Sequence, residues 1–160
     1  LIIPTVHNLG EKYSIRDIRI AYHTDGQRNH WRALLAAYRN SPYFCFYSDD
    51  ISRYYRNRWD FLFDYNLEFF STILSLLNLN KEIRLTGRFE DIPDTVLNLR
   101  EAFNPKPARK DMFFGTGLRP YTQVFGEKFP FIPDLSILDL LFNEGPASGG
   151  YLSFQDPGIS

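Results

Sequence analysis

The 160-residue sequence has one cysteine, one methionine and three histidines, and its charges nearly cancel, at a formal net −1. Each scarcity excludes something. A single thiol, Cys45, cannot form an internal disulfide, so a reducing, cytoplasmic compartment is expected. Cys45 lies between Phe44 and Phe46. A reactive thiolate needs an electropositive, accessible setting, so this cysteine is expected to be buried and inert. Without an excess of positive charge there is no global field to draw in a nucleic-acid backbone, and any anion site must be local. No run of about twenty apolar residues exists to span a membrane. No charged-then-apolar signal segment opens the chain. The histidines show no metal-ligand spacing, so no metal site is expected and no cofactor is named. A Gly-x-Ser-x-Gly elbow is also missing, which leaves a hydrolase triad without a nucleophile.

Aromatic residues are abundant, with fifteen Phe, ten Tyr and two Trp. They imply a core rich in ring packing, or else a groove of ring faces that stack on bases or sugars. The length suits one domain with a real core. Leu1 to Val6 and Ile15 to Ile20 read as short strands around an Asn8-Leu9-Gly10 turn, with Pro4 implying an edge or a bulge. Thr24-Asp25-Gly26-Gln27 has the form of a capping box. Trp31, Leu34, Leu35 and Tyr38 then form one apolar stripe, opposite Arg28, Arg32 and Arg39. Ser41-Pro42 stops that helix.

Asp60 to Leu79 is the strongest helical pattern, with Asp60, Asp64 and Glu68 on its polar stripe. Those carboxylates could hold a cation, but spacing of four residues is equally that of a solvated face. Lys81 to Phe89 reads as a strand and Asp94 to Phe103 as a short helix. A final helix is capped by Asp134 or Ser136 and closed by Gly145-Pro146. Gln155 to Ser160 reads as a tail. The fold class is therefore α+β, with a small antiparallel sheet packed against three to four helices in a single domain over residues 1–154. The opening Leu1-Ile2-Ile3-Pro4 suggests an N-terminally truncated fragment.

Between Asn104 and Tyr121 no periodicity holds, and aperiodic loops of this length tend to be functional. Lys106, Arg109, Lys110 and Arg119 crowd it, while Gly115 and Gly117 allow close backbone approach. Arg109 and Arg119 are thus candidates for a phosphate or carboxylate cradle, against the alternative of an ordinary solvated loop. His30 could serve as a general base, whereas His7 and His23 are less constrained.

Two stretches carry a resemblance. One is Gln27-Arg28-Asn29-His30-Trp31-Arg32 with Ala37 to Phe44. The other joins Leu99-Arg100 and Asn104-Pro105-Lys106 to Tyr121-Thr122-Gln123-Val124-Phe125 and to Pro133 through Pro146, including Leu135-Ser136-Ile137-Leu138-Asp139-Leu140-Leu141-Phe142-Asn143. In order and spacing they resemble the WbqC-like protein family of bacteria. The resemblance implies an association with O-antigen and other surface polysaccharide biosynthesis. It also implies transfer of an aminoacyl or acyl group to a nucleotide-linked sugar. Members usually begin with an aromatic-Pro-Pro segment that this chain lacks.

Carried over by motif, the implied functional positions are His30, Arg100, Lys106, Gln123, Asp139 and Asn143. Arg100 and Lys106 would hold an anionic donor, and His30 or Asp139 would deprotonate an acceptor amine. Asp139 and Asn143, four apart, share a helical face. The alternative is a non-catalytic binding or scaffold protein of a polysaccharide assembly system, which would need an exposed apolar patch.

Overall fold

The computed structural model describes residues 2–6, 14–93, 95–99 and 119–154. Strand β1 (Thr5–Val6) pairs antiparallel with β2 (Arg19–Ile20), Thr5 opposite Ile20 and Val6 opposite Arg19. Among the described residues five α-helices follow: α1 (Gly26–Tyr38), α2 (Phe44–Arg56), α3 (Leu62–Leu76), α4 (Ile137–Glu144) and the short α5 (Ser148–Phe154). This is the expected α+β class, a two-stranded antiparallel sheet packed by helices.

The small sheet holds because both edges of β2 are used. Beyond β1, Asp60 accepts the Ile20 N–H at 3.0 Å, and Ile18 accepts the Leu62 N–H at 2.9 Å. Arg19 forms an isolated bridge to Phe61, with its guanidinium 4.6 Å from the Phe61 ring centroid. The chain entering α3 therefore satisfies amides that a lone hairpin would leave open. The expected strand over Ile15 to Ile20 is shorter than its pattern. Ile15–Asp17 is a 3-10 turn, opened by the Ser14 hydroxyl accepting the Arg16 N–H.

The capping box at Thr24 to Gln27 does not form. Asp25 occupies the cap position without a side-chain hydrogen bond. Gln27 instead donates to the carbonyls of Tyr54 and Asn57, at 3.3 and 2.9 Å. It thereby satisfies carbonyls at the C-terminus of α2 that the helix itself leaves unpaired. The remainder of α1 follows its stripe, with Leu34 buried and Trp31, Leu35 and Tyr38 packed on the core.

Helix α2 was hidden in the sequence by the proline before it and by its dense aromatics. Phe44, Ile51 and Tyr54 are buried, and Tyr47 and Tyr55 pack beside them, a helical period. Cys45 lies on the opposite face and is exposed, which corrects the expectation of a buried thiol. Its two phenylalanine neighbours diverge, since successive helical residues point about 100° apart. Phe44 enters the core while Phe46 stays 72% exposed.

Tyr54, fully buried, links α2 to α3. Its hydroxyl lies 2.6 Å from Thr72 Oγ1 and 3.1 Å from the Glu68 carbonyl. Its ring stacks on Trp59 and contacts Tyr65 and Phe69. Part of the aromatic excess is thus core, while Phe46, Phe70, Phe89, Phe125 and Phe129 are exposed.

Beyond α3, Asn78 turns the chain with φ 55°. The strand expected over Lys81 to Phe89 is absent. Ile83, Leu85 and Phe89 are exposed, and the segment pairs with neither strand of the sheet. Residues 95–99 hold no helix, their region opening with a turn from Pro93 to Val96. The rest of the expected 94–103 helix, the 8–10 turn, His7 and the 155–160 tail lie outside the described residues.

Helix α4 begins as its sequence says, with the Ser136 hydroxyl accepting the Leu138 N–H at 3.3 Å. It ends at Gly145, whose φ of 55° and ψ of −125° suit glycine. A Cβ at Gly145 would stand 2.5 Å from the Tyr43 ring. Tyr43 also donates its N–H to the Phe142 carbonyl at 3.0 Å. The α1–α2 turn is thereby locked onto the end of α4, and this contact sets the geometry of the site.

Candidate functional site

Leu138, Leu140, Leu141 and Phe142 bury α4 in the core, and Asp139 goes in with them, only 3% exposed. A carboxylate so placed needs donors. Its position in the first turn of α4 supplies part of the compensation, because the helix dipole favours negative charge there. Side chains supply the rest. Tyr121 donates its hydroxyl to Asp139 Oδ2 at 2.6 Å, and Gln123 Nε2 approaches the same oxygen at 3.4 Å. The Tyr38 hydroxyl faces Asp139 from α1. The Tyr38 pKa is pushed up to about 12, first by burial, then by the Asp139 charge and the hydrogen bond to it. Burial, reinforced by the bond to Asp139, raises Tyr121 still further.

Gln123 does two things. Its Oε1 accepts the Ile132 N–H at 3.0 Å and its Nε2 donates to the Ile132 carbonyl at 2.8 Å. This two-point clamp closes residues 123–132 into a loop that Tyr121 ties to α4. Asn143, one turn beyond Asp139, donates to the Asp139 carbonyl at 2.8 Å. The Tyr151 hydroxyl donates to the Arg119 carbonyl, and its ring packs edge-on against Tyr121.

Above this cluster lies a cleft of about 750 Å³ between the α1–α2 turn and the clamped loop. Ser41 and Asn143 stand on one wall, with Tyr121, Phe125, Lys128 and Phe131 on the other. The size is in the range of small-molecule sites. Its wall offers ring faces for stacking, amides for hydrogen bonding and one ammonium. The Ser41 hydroxyl, in a residue 7% exposed, makes no hydrogen bond.

Of the residues expected from sequence, Gln123, Asp139 and Asn143 thus converge. Arg119 lies at the start of the same segment, exposed, with its carbonyl engaged by Tyr151. Arg100, Lys106 and Arg109 lie outside the described residues, as does most of the 104–121 loop. His30 is elsewhere. Eight residues before Tyr38 on α1, it stands about 12 Å along the helix axis from the tyrosine that meets Asp139. It lines a void of about 20 Å³ with Pro4 and Ile20. Burial lowers its pKa, opposed by a hydrogen bond to the Ile2 backbone.

Asp64 and Glu68 are exposed on α3, and Glu68 is 3.9 Å from Arg53. Among the described residues no three His, Cys, Asp or Glu side chains come together. Tyr38, Tyr121 and Ser41 were not singled out from sequence. Only the need of a buried carboxylate for donors could have pointed to the tyrosines.

The family model described as the WbqC-like protein family matches residues 1–107 of the 160. The cleft residues from Tyr121 to Asn143 lie C-terminal to that match. No curated protein and no solved structure matches the chain.

Proposed function

The chain belongs to the WbqC-like protein family, and from that premise we propose a transferase of surface polysaccharide biosynthesis that moves an aminoacyl or acyl group onto a nucleotide-linked amino sugar. The observation that carries the proposal is the buried Asp139 carboxylate beneath the cleft, with the Tyr121 hydroxyl bonded to it from the cleft wall. The nucleotide-linked sugar occupies the cleft, its rings against Phe125 and Phe131 and its polar groups toward Asn143 and Ser41. The acceptor amine attacks the carbonyl carbon of an activated donor. A C–N bond forms as the bond from that carbon to the leaving group breaks. The amine's proton passes to the Tyr121 oxygen while Tyr121 passes its own to Asp139, and the departing group takes up that proton. Arg100 and Lys106 are the cations that hold the donor in this scheme.

The test is transfer from an acyl thioester or aminoacyl donor to a uridine-diphosphate amino sugar, followed by mass spectrometry. Asp139→Asn and Tyr121→Phe are each expected to lower the rate by about a hundredfold or more. Lys106→Ala is expected to weaken donor affinity without changing acceptor affinity. Undiminished transfer in Asp139→Asn would remove the carboxylate from the mechanism.

One observation favours a second reading. Phe125, Phe129, Ile132 and Leu135 are all more than 40% exposed along one segment, the kind of apolar patch a scaffold needs. In that case the acceptor sugar fails to bind.

A further inference from the structure

Among the described residues two buried side-chain polar atoms make no hydrogen bond, Trp59 Nε1 and Ser41 Oγ. The indole packs in the aromatic core against Tyr54 and Tyr65. The Ser41 hydroxyl lines the polar cleft instead, in a residue only 7% exposed. Buried hydroxyls are normally paired, because leaving one unpaired costs stability. One that stays unpaired on the wall of a cleft is a donor kept for a guest.

The backbone fixes where that donor stands. The Ser41 N–H donates to the Tyr38 carbonyl at 2.8 Å, and the Ser41 carbonyl accepts the Phe44 N–H at 3.2 Å. Two residues on, Tyr43 donates to the Phe142 carbonyl, so the serine sits on the turn that is locked to α4. Asn143 shares its wall. Asn143 Nδ2 is spent on the Asp139 carbonyl, which leaves Oδ1 as the acceptor there. Asn143 is four residues, about 6 Å of helix, from the Asp139 that Tyr121 reaches. Tyr121 and Ser41 line the same cleft. An amine and the carbonyl it attacks therefore meet both without passing the buried carboxylate.

The proposed transfer needs such a donor. As the amine attacks, the carbonyl π pair moves onto oxygen, and Tyr121 with Asp139 handles the amine's proton rather than that charge. Thr122 and Lys128 also line the cleft, but both are exposed. A hydroxyl that water does not reach stabilises developing charge more strongly. A nucleophilic role does not suit Ser41, since no base lies within hydrogen-bond reach of its Oγ.

We infer that Ser41 is a catalytic residue of the transfer, its hydroxyl donating to the carbonyl oxygen as negative charge develops there, while Asn143 Oδ1 accepts an N–H of the attacking amine. The inference rests on the transferase reading and deepens it. Ser41 keeps its proton throughout, and the electron pair returns to re-form the C=O bond as the leaving group departs.

The test measures transfer from an acyl thioester to a uridine-diphosphate amino sugar by the full chain and by Ser41→Ala, with chemical denaturation of both. In Ser41→Ala kcat should fall about 10²–10³-fold, with KM for either substrate within about twofold of wild type. The variant should be at least as stable as wild type, because an unpaired buried hydroxyl has been removed. Ser41→Cys, a weaker donor, should fall between the two in kcat. A rise in KM at unchanged kcat makes Ser41 a ground-state sugar contact and overturns the inference. So does a loss of stability in Ser41→Ala, which makes the hydroxyl structural, or an acyl adduct on Ser41 in the mass spectrum, which makes it the nucleophile. Full transfer by Ser41→Ala beside a loss in Asp139→Asn removes this donor and leaves the transferase reading. Absence of transfer by the wild-type chain removes both.

Discussion

At the residue scale the unusual group is Asp139, an acid with no basic side chain among its hydrogen-bond partners. The Tyr121 hydroxyl and the Gln123 amide hold it and the Tyr38 hydroxyl faces it, while burial first and the Asp139 charge second resist removal of the tyrosine protons. An unfolded tyrosine ionises near pH 10, whereas folded Tyr38 keeps its proton until about pH 12. Between those values the folded state binds more protons than the unfolded one, so stability falls as pH rises. Tyr65 and Tyr121 are raised as well and add to the slope. Urea unfolding between pH 9 and 11.5 should show stability holding to about pH 10 and then declining. Tyr38→Phe should flatten part of the decline, and a flat wild-type profile to pH 11.5 would refute these tyrosine environments. The helical spacing of Asp139 and Asn143 was readable from the sequence. That Asp139 is buried was not, because its donors come from residues 18 and 101 positions away.

Among the elements, two glycines hold the last helices in place. Gly145 combines a left-handed φ with a Tyr43 ring 2.5 Å from where a Cβ would stand. At Gly149 a Cβ would lie 2.2 Å from the Leu77 carbonyl, so α5 meets the end of α3 backbone to backbone. Gly150 has open space. Gly145→Ala and Gly149→Ala should each cost about 1–3 kcal/mol, and Gly150→Ala should cost nothing or gain up to about 1 kcal/mol, measured by chemical denaturation. Equal effects at all three would contradict the packing of α5.

Helices α1, α3 and α4 were legible from their apolar stripes, and α4 also from its Ser136 cap and closing Gly-Pro. Helix α2 was not, since Pro42 read as a stop when it also precedes a new start. The 81–89 strand failed for a different reason. Alternation favours a strand only where a partner edge exists, and β2 already has both of its edges occupied. The exposed face of α2 carries its own check. Cys45 should react with a thiol reagent in the native protein at nearly the rate of the unfolded chain, whereas strong protection would restore the buried reading.

For the whole molecule, the central feature is the cleft between the α1–α2 turn and the clamped loop, with buried Asp139 beneath it. Most of the helices were predictable in kind, but the cleft was not, because it is bounded by segments far apart in sequence. The polar cleft exists only because the α1–α2 turn is hooked to the end of α4 while Gln123 and Tyr121 fasten the facing loop. Hydrogen–deuterium exchange on addition of a uridine-diphosphate amino sugar tests the cleft as the sugar site most directly. The account predicts protection confined to residues 40–43 and 121–131, reduced in Tyr121→Phe. Protection elsewhere, or none at saturating sugar, would contradict it.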